Sequence, residues 1–347
     1  MSLVLQDVGL GVPGAAVLDA VSLTLERGTL NVLLGPTLSG KTSLMRVMAG
    51  LDRPDRGRIL LDGEDVTGVP VRRRSVAMVY QQFVNYPTLS VRENIASPLR
   101  IAGLPRAERE ARVAEAARLL RLEPLLRRLP GQLSGGQQQR TAIARALVKR
   151  AALVLLVEPL ANLDYKLREE LREELPPLFA RTGAILVYAT TEPMEALLLG
   201  GRTTTLWEGR VTQSGPTAEV YRRPNTLEAA RVFSDPPLNE LDAEVLPALA
   251  PGAARFGFRA EHLSLGPPPP DCLGFEGRVS VTEITGSESF VHVDIGTETW
   301  VALLPGVVDL PPGQAVQVHV HPSQVMAFDG AGRLVPAAAQ PMAEAVA

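Results

Sequence analysis

Residues 35–43 read GPTLSGKTS, and Gly35, Gly40, Lys41 and Thr42 stand in the spacing GxxxxGK[ST]. In that spacing the backbone N–H groups of a tight loop cradle phosphate oxygens. The lysine reaches the outer phosphates, and the hydroxyl after it reaches a magnesium ion. The chemistry needs a strand before the loop and a helix after it. LNVLLG (30–35) has the dense apolar pattern of a buried strand, and TSLMRVMAG (42–50) has a helical pattern. Gly35, Pro36, Thr37, Leu38, Ser39, Gly40, Lys41, Thr42 and Ser43 are therefore expected to bind a nucleoside triphosphate.

A second group lies in LSGGQQQR (133–140), just before the apolar pattern TAIARALV. Ser134, Gly135 and Gly136 would present backbone N–H groups at a helix start, which is a second anion site. A third group is the run LVLLVEPLANLD (153–164), where five apolar residues lead to the single carboxylate of Glu158. A carboxylate at a strand end beside a γ-phosphate can orient and deprotonate water. If the two anion sites lie on different subdomains, one phosphate cannot use both sites of one monomer. A head-to-tail dimer resolves this, with each nucleotide held between the loop of one chain and the second site of the other.

These groups sit on a recognisable framework. To about Gly215, short apolar runs alternate with helical patterns, as in helices layered on a largely parallel sheet. LVLQDV (3–8) and VSLTLERG (21–28) alternate as half-exposed strands do. VAMVY (76–80), LVLLV (153–157) and AILVY (184–188) read as strands covered on both faces. Residues from about 88 to 150 turn helical, as a subdomain inserted into the sheet. TTTLWEGRVTQSG (203–215) reads as a hairpin with a Glu-Gly turn, followed by a short helix. An ATPase-type domain over 1–234, a Pro- and Ala-rich linker over 235–254, an all-β barrel or sandwich over 255–335 and a frayed tail over 336–347 complete the expected organisation.

Together, LSGGQQQR, the phosphate loop upstream and EPLANLD downstream resemble the ATP-binding subunits of ABC transporters. The β-rich C-terminal part, with VTEITGSESFVHVDIG, is similar to the OB-like regulatory domain of maltose-type importer ATPases. NVLLGPTLSGKTSLMRVMAGLD and TTEPMEALLLGG most resemble an ATPase subunit of the proteobacterial glycerol importer, which uses two different ATP-binding subunits. The resemblance implies an α/β P-loop ATPase fold with ATP and Mg²⁺ as ligands. It implies that Thr42 and Gln81 contact the metal, that Glu158 is the general base, and that Asp164 communicates across the dimer. Leu133, Ser134, Gly135, Gly136 and Gln137 would serve the partner's nucleotide, and FVNYP (83–87) would sense a coupling helix. Expected partners are a second, different ATP-binding subunit, two membrane-spanning permease subunits and a periplasmic binding protein. The expected place is the cytoplasmic face of the bacterial inner membrane, with glycerol, glycerol-phosphate or a small sugar as cargo.

Three positions depart from that pattern. Val157 stands where the family has an aspartate that holds the Mg²⁺ shell. Thr191 stands at the place of a histidine that contacts the γ-phosphate, and all four histidines (His262, His292, His319, His321) lie far beyond it. Val12 stands at the place of an adenine-stacking aromatic, and no aromatic precedes Tyr80. These departures raise a competing reading in which the chain is mainly a structural half-site that donates Ser134, Gly135 and Gly136 to a partner.

The bulk numbers narrow the rest. A net charge of −3 argues against general attraction to nucleic acid or anionic lipid. One cysteine, Cys272, allows no intrachain disulfide and reads as an inert thiol. No run approaches the ~20 apolar residues that span a bilayer, so a membrane link is expected to run through a partner. His319 and His321 lack a third ligand and read as solvated strand positions.

Overall fold

The computed structural model describes residues 2–12, 14–82, 84–161, 165–180 and 183–336. Asp164, the expected cross-dimer aspartate, and residues 337–347 of the tail lie outside the described residues. The chain divides into two compact units, Met1–Ala218 and Glu219–Ala347.

The first unit opens with β1 (Ser2–Val12) and β2 (Ala15–Glu26), an antiparallel pair with alternating burial. Next come β3 (Leu30–Leu34), α1 (Lys41–Ala49), β4 (Arg56–Leu61), β5 (Glu64–Asp65) and β6 (Val76–Val79). α2 (Val91–Ile101), α3 (Arg106–Leu119) and α4 (Gly135–Val148) form the helical insertion. β7 (Leu153–Val157), α5 (Tyr165–Ala180), β8 (Ile185–Thr190), α6 (Pro193–Leu199), β9 (Arg202–Trp207) and β10 (Arg210–Pro216) follow. One sheet has the order β2-β1-β4-β5. The other, β10-β9-β3-β8-β7-β6, is parallel except for the β9–β10 hairpin, whose turn residues Glu208 and Gly209 both have positive φ.

The period of two along β7 sorts its side chains onto two cores. Leu153, Leu155 and Val157 share an apolar cluster with Leu44 and Met45 of α1 and with β1 and β2. Val154 and Leu156 share the other cluster, with Ile95 of α2, Val113 of α3 and Ile143 of α4. β8 divides in the same way, Val187 to the first cluster and Tyr188 to the second. The phosphate loop's helix and the helical insertion thus cover opposite faces of one sheet. All five residues of β7 are buried, as expected for a strand covered on both sides.

The second unit begins with the rest of α7 (Thr217–Arg222), then α8 (Leu227–Val232), and continues as strands. β11 (Asn239–Asp242), β12 (Arg255–Phe258), β18 (Met326–Phe328) and β19 (Leu334–Val335) form one sheet. β13 (Ser264–Leu265), β17 (Ala315–Val320), β14 (Leu273–Ile284), β15 (Glu288–Ile295) and β16 (Glu298–Pro305) form the other. Trp300 anchors their shared core, edge-on to Phe258 and Phe275 at 4.9 Å each.

Two boundaries drawn from sequence need correction. Residues 235–254 are not a free linker, because β11 lies within them and pairs with β12. The Trp300 indole N–H donates to the Glu240 carbonyl at 2.9 Å, and the Asn239 side chain bonds both the N–H and the C=O of Val301. Proline and alanine disguised a strand whose alternate residue Leu241 is buried. The break also falls earlier than residue 234, because Leu227 and Ala230 of α8 pack with Leu238 and Phe328 of the second unit.

Candidate nucleotide site

The phosphate loop joins β3 to α1. Gly35 has no room for a side chain, since a Cβ there would collide with the Leu206 carbonyl and the Ser39 hydroxyl. Gly40 has φ +97°, and a Cβ on it would lie 3.0 Å from both Leu18 and the Val17 carbonyl. Gly40 also caps α1 without any side-chain hydrogen bond, and no acidic residue stands in the first turn. The positive end of that helix is left for an anion.

Lys41 is buried, and its Nζ donates to the carbonyls of Gly35 at 2.7 Å and Pro36 at 2.8 Å. Burial pulls its pKa below the ordinary lysine value, and the charge of Glu158 pulls it back up. Thr42 is exposed at the start of α1. Leu38, at the loop's tip, has φ +68° and is 96% exposed, a conformation that glycine adopts without strain.

Glu158 follows β7 in a left-handed turn, with φ +43°. Its N–H donates to the Ala189 carbonyl of β8 at 2.9 Å, and its Oε2 accepts from the Gln81 amide at 2.7 Å. The structure therefore brings Gln81, Glu158 and Lys41 into one electrostatic neighbourhood. Val157 is 5% exposed and belongs to the cluster of α1, so its side chain takes the phosphate-helix face of the sheet. For Mg²⁺ the chain offers the Thr42 hydroxyl and the Gln81 amide oxygen, with no carboxylate at position 157. That set is small and neutral, but it suits a cation that keeps water ligands and takes nucleotide oxygens. Thr191 is half-buried just past β8, and Val12 is exposed at the end of β1.

The signature segment starts α4. Ser134 is its N-cap, joined to Gln137 in a reciprocal capping box: the hydroxyl accepts from the Gln137 N–H at 3.4 Å, and the Ser134 N–H donates to Oε1 at 3.1 Å. Leu133 is buried, whereas Ser134 and Gly135 are exposed. Sequence reasoning missed Gln139, buried on the same helix. It donates to the carbonyl of Pro159, next to Glu158. A run of three glutamines, of which Gln139 is the last, gives no sign of which one faces inward.

Beyond the site, α2, α4 and β6 enclose a groove of about 450 Å³ whose lining includes Tyr80, Val84, Tyr86, Ile101 and Arg145. Asn94 pins the rim by accepting from the Tyr86 N–H at 2.8 Å and donating to its carbonyl at 3.0 Å. The Arg145 guanidinium lies 4.4 Å from the Tyr86 ring centre. Among the described residues no cluster of three metal-ligating side chains occurs and no helix is long and apolar enough to cross a membrane. Burial and Asp271 push the Cys272 thiol up, away from reactivity.

A strand–loop–helix phosphate site facing a strand-end carboxylate, with a helical insertion on the sheet's other face, defines a P-loop nucleotide-binding protein. The family description "ABC transporter" matches residues 18–161, and "TOBE domain" matches residues 256–328. The chain is 37% identical over 343 residues to an sn-glycerol-3-phosphate import ATP-binding protein of Paracoccus denitrificans, covering 94% of this chain and 97% of that protein. It is 42% identical over 236 residues to a spermidine/putrescine import ATP-binding protein of Shigella boydii, covering 68% and 62%. Among solved structures it is similar to a bacterial ABC transporter cassette in dimeric form (TM-score 0.58, 30% identity, 62% of this chain and 98% of that one). The chain belongs to the ABC transporter family, as an ATP-binding subunit of the importer type with a C-terminal OB-like TOBE domain.

Proposed function

We propose that this chain hydrolyses ATP at its own phosphate loop and energises an importer for glycerol or its phosphate, acting at the inner face of the bacterial membrane. The observation that carries the reading is the placement of Glu158, which is held by Gln81 at 2.7 Å and is felt by Lys41. In the reaction, Glu158 takes a proton from water as the water oxygen bonds to the γ-phosphorus. The bond to the β–γ bridging oxygen breaks, and ADP and phosphate leave. Lys41 and the loop N–H groups stabilise the charge that develops on the phosphate oxygens. Mg²⁺, held by Thr42 and Gln81, would supply further charge neutralisation. Thr191 would give the γ-phosphate a hydroxyl in place of an imidazole. Val12 would give adenine an apolar contact, and Asp164 would face the partner across the dimer.

Leu133, Ser134, Gly135, Gly136 and Gln137 would close on the nucleotide of a second ATP-binding subunit. The groove rimmed by exposed Val84, Tyr86 and Ile101 would seat a helix of one of the two permease subunits, and a periplasmic binding protein would deliver cargo to that pair. The cargo reading leans on the glycerol-phosphate relative. Similarity to a polyamine-import subunit fits an ATPase that does not itself choose cargo.

One observation favours a second reading. Val157 is packed into the core where a metal-holding carboxylate would serve, which suits a weak site in an unequal pair with a different ATPase subunit. Reconstitution of the importer in vesicles with Glu158→Gln in this chain alone separates the two readings. Hydrolysis here predicts loss of ATP-driven uptake by about 100-fold or more, whereas near-normal uptake leaves this chain a structural partner. Labelled glycerol and glycerol 3-phosphate offered to the same vesicles identify the cargo.

A further inference from the structure

Glu158 is a non-glycine residue held in a left-handed backbone, φ +43°. Such a conformation persists only where the surroundings over-determine it. Three ties act on this turn: the Glu158 N–H on the Ala189 carbonyl, the Gln81 amide on Oε2, and the Gln139 amide on the Pro159 carbonyl. The first two come from β8 and the segment after β6. The third comes from α4, five residues beyond Ser134. A fourth bond closes a ring, since the Asn85 amide donates to the Gln138 carbonyl at 2.9 Å on the same helix.

Gln139 is fully buried, and its Oε1 finds no partner among the described residues. A buried amide with its acceptor unused is poor value for stability. An apolar side chain there would remove the unused acceptor but would leave the buried Pro159 carbonyl without this donor, so the exchange offers no clear gain in stability. The donor's use must lie in what it holds. We infer that Gln139 is a positioning residue for hydrolysis: it fixes the general-base turn to the signature helix, so that closing Ser134 on a partner's nucleotide sets Glu158 over the chain's own. The signature and the general base serve different nucleotides, and Gln139 is the side chain that joins them. The inference rests on Glu158 being the base.

The test is Gln139→Met in the full-length chain, measured beside Glu158→Gln for ATP turnover, ATP affinity and thermal unfolding. A misplaced base is expected to lower kcat by about tenfold or more, with KM and ATP affinity within about twofold and Tm only slightly lowered, so that the chain is fully folded at the assay temperature. If kcat stays normal while Glu158→Gln abolishes turnover, the inference alone fails. If Glu158→Gln turns over normally, the base reading fails and takes the inference with it. A variant that does not fold, or a kcat that falls only in step with Tm, makes Gln139 merely structural and overturns the proposal.

Discussion

The phosphate loop and the signature segment both end at the N-terminus of a helix that lacks an acidic residue in its first turn, yet they differ in what they leave free. α1 is capped by Gly40, which supplies no side-chain bond, so its first amides are open to a phosphate. α4 is capped by Ser134 through a closed box with Gln137, which takes up the Ser134 and Gln137 amides and so occupies part of its first turn. α2 is a useful third case, because its Ser90 cap works with Glu93, whose carboxylate neutralises the helix end and unsuits it for anions. On the proposed reading the two helix ends suit different ligand histories: α1 would hold nucleotide within the subunit, and α4 would form a surface that a neighbour's nucleotide meets later.

Removing the cation should break the comparison most sharply. Lys41→Ala is expected to cost roughly 10²–10³ in turnover and to weaken binding of a fluorescent ATP analogue. Binding that survived would show that α1 and its loop are not the chain's primary site. Ser134→Ala should separate the two regions at the next level. Loss of the cap lowers stability by about 1 kcal/mol in chemical denaturation. ATP binding to the isolated chain should stay unchanged while ATP-dependent dimerisation, read by light scattering, weakens. A change in the chain's own affinity would mean that the regions are not independent.

The smallest effect concerns the far end of α1, where Arg46 bonds Asp52 at 2.6 and 2.7 Å. The hydrogen bond to Arg46, with its charge, lowers the Asp52 pKa below its ordinary value. The pair's stabilisation is therefore present above the ordinary carboxylate range and is lost as pH falls through the lowered pKa. Asp52→Asn should cost less than ~1 kcal/mol at neutral pH, and the gap from the parent should close on acidification. A gap that widened in acid would reverse the sign of this linkage.

Much of the fold was legible because hydrophobic period is a local property. The buried strands Leu30–Leu34, Leu153–Val157 and Ile185–Thr190 stand where dense apolar runs read as strands. The Glu-Gly hairpin of β9 and β10 was readable from its turn residues, both of which adopt positive φ. The strand at Asn239–Asp242 was hidden because its evidence is a partner, Arg255–Phe258, rather than a pattern in its own four residues, which sit among flanking prolines and alanines. Leu38 was legible as a loop residue but not as a left-handed one, since nothing in its side chain asks for that backbone.

The sequence by itself determined the phosphate loop, because a glycine spacing with lysine and threonine specifies a backbone path whose amides must converge on an anion. It also determined the absence of a carboxylate at Val157 and of a histidine at Thr191, which are matters of residue type alone. Only the tertiary structure decided that Val157 takes the α1 face, that Gln81 reaches Glu158, and that the last of three consecutive glutamines turns inward to Pro159. Those pairings join strands and helices far apart in the chain. Side-chain direction there is set by which face of the sheet each element covers, a quantity no local spacing contains.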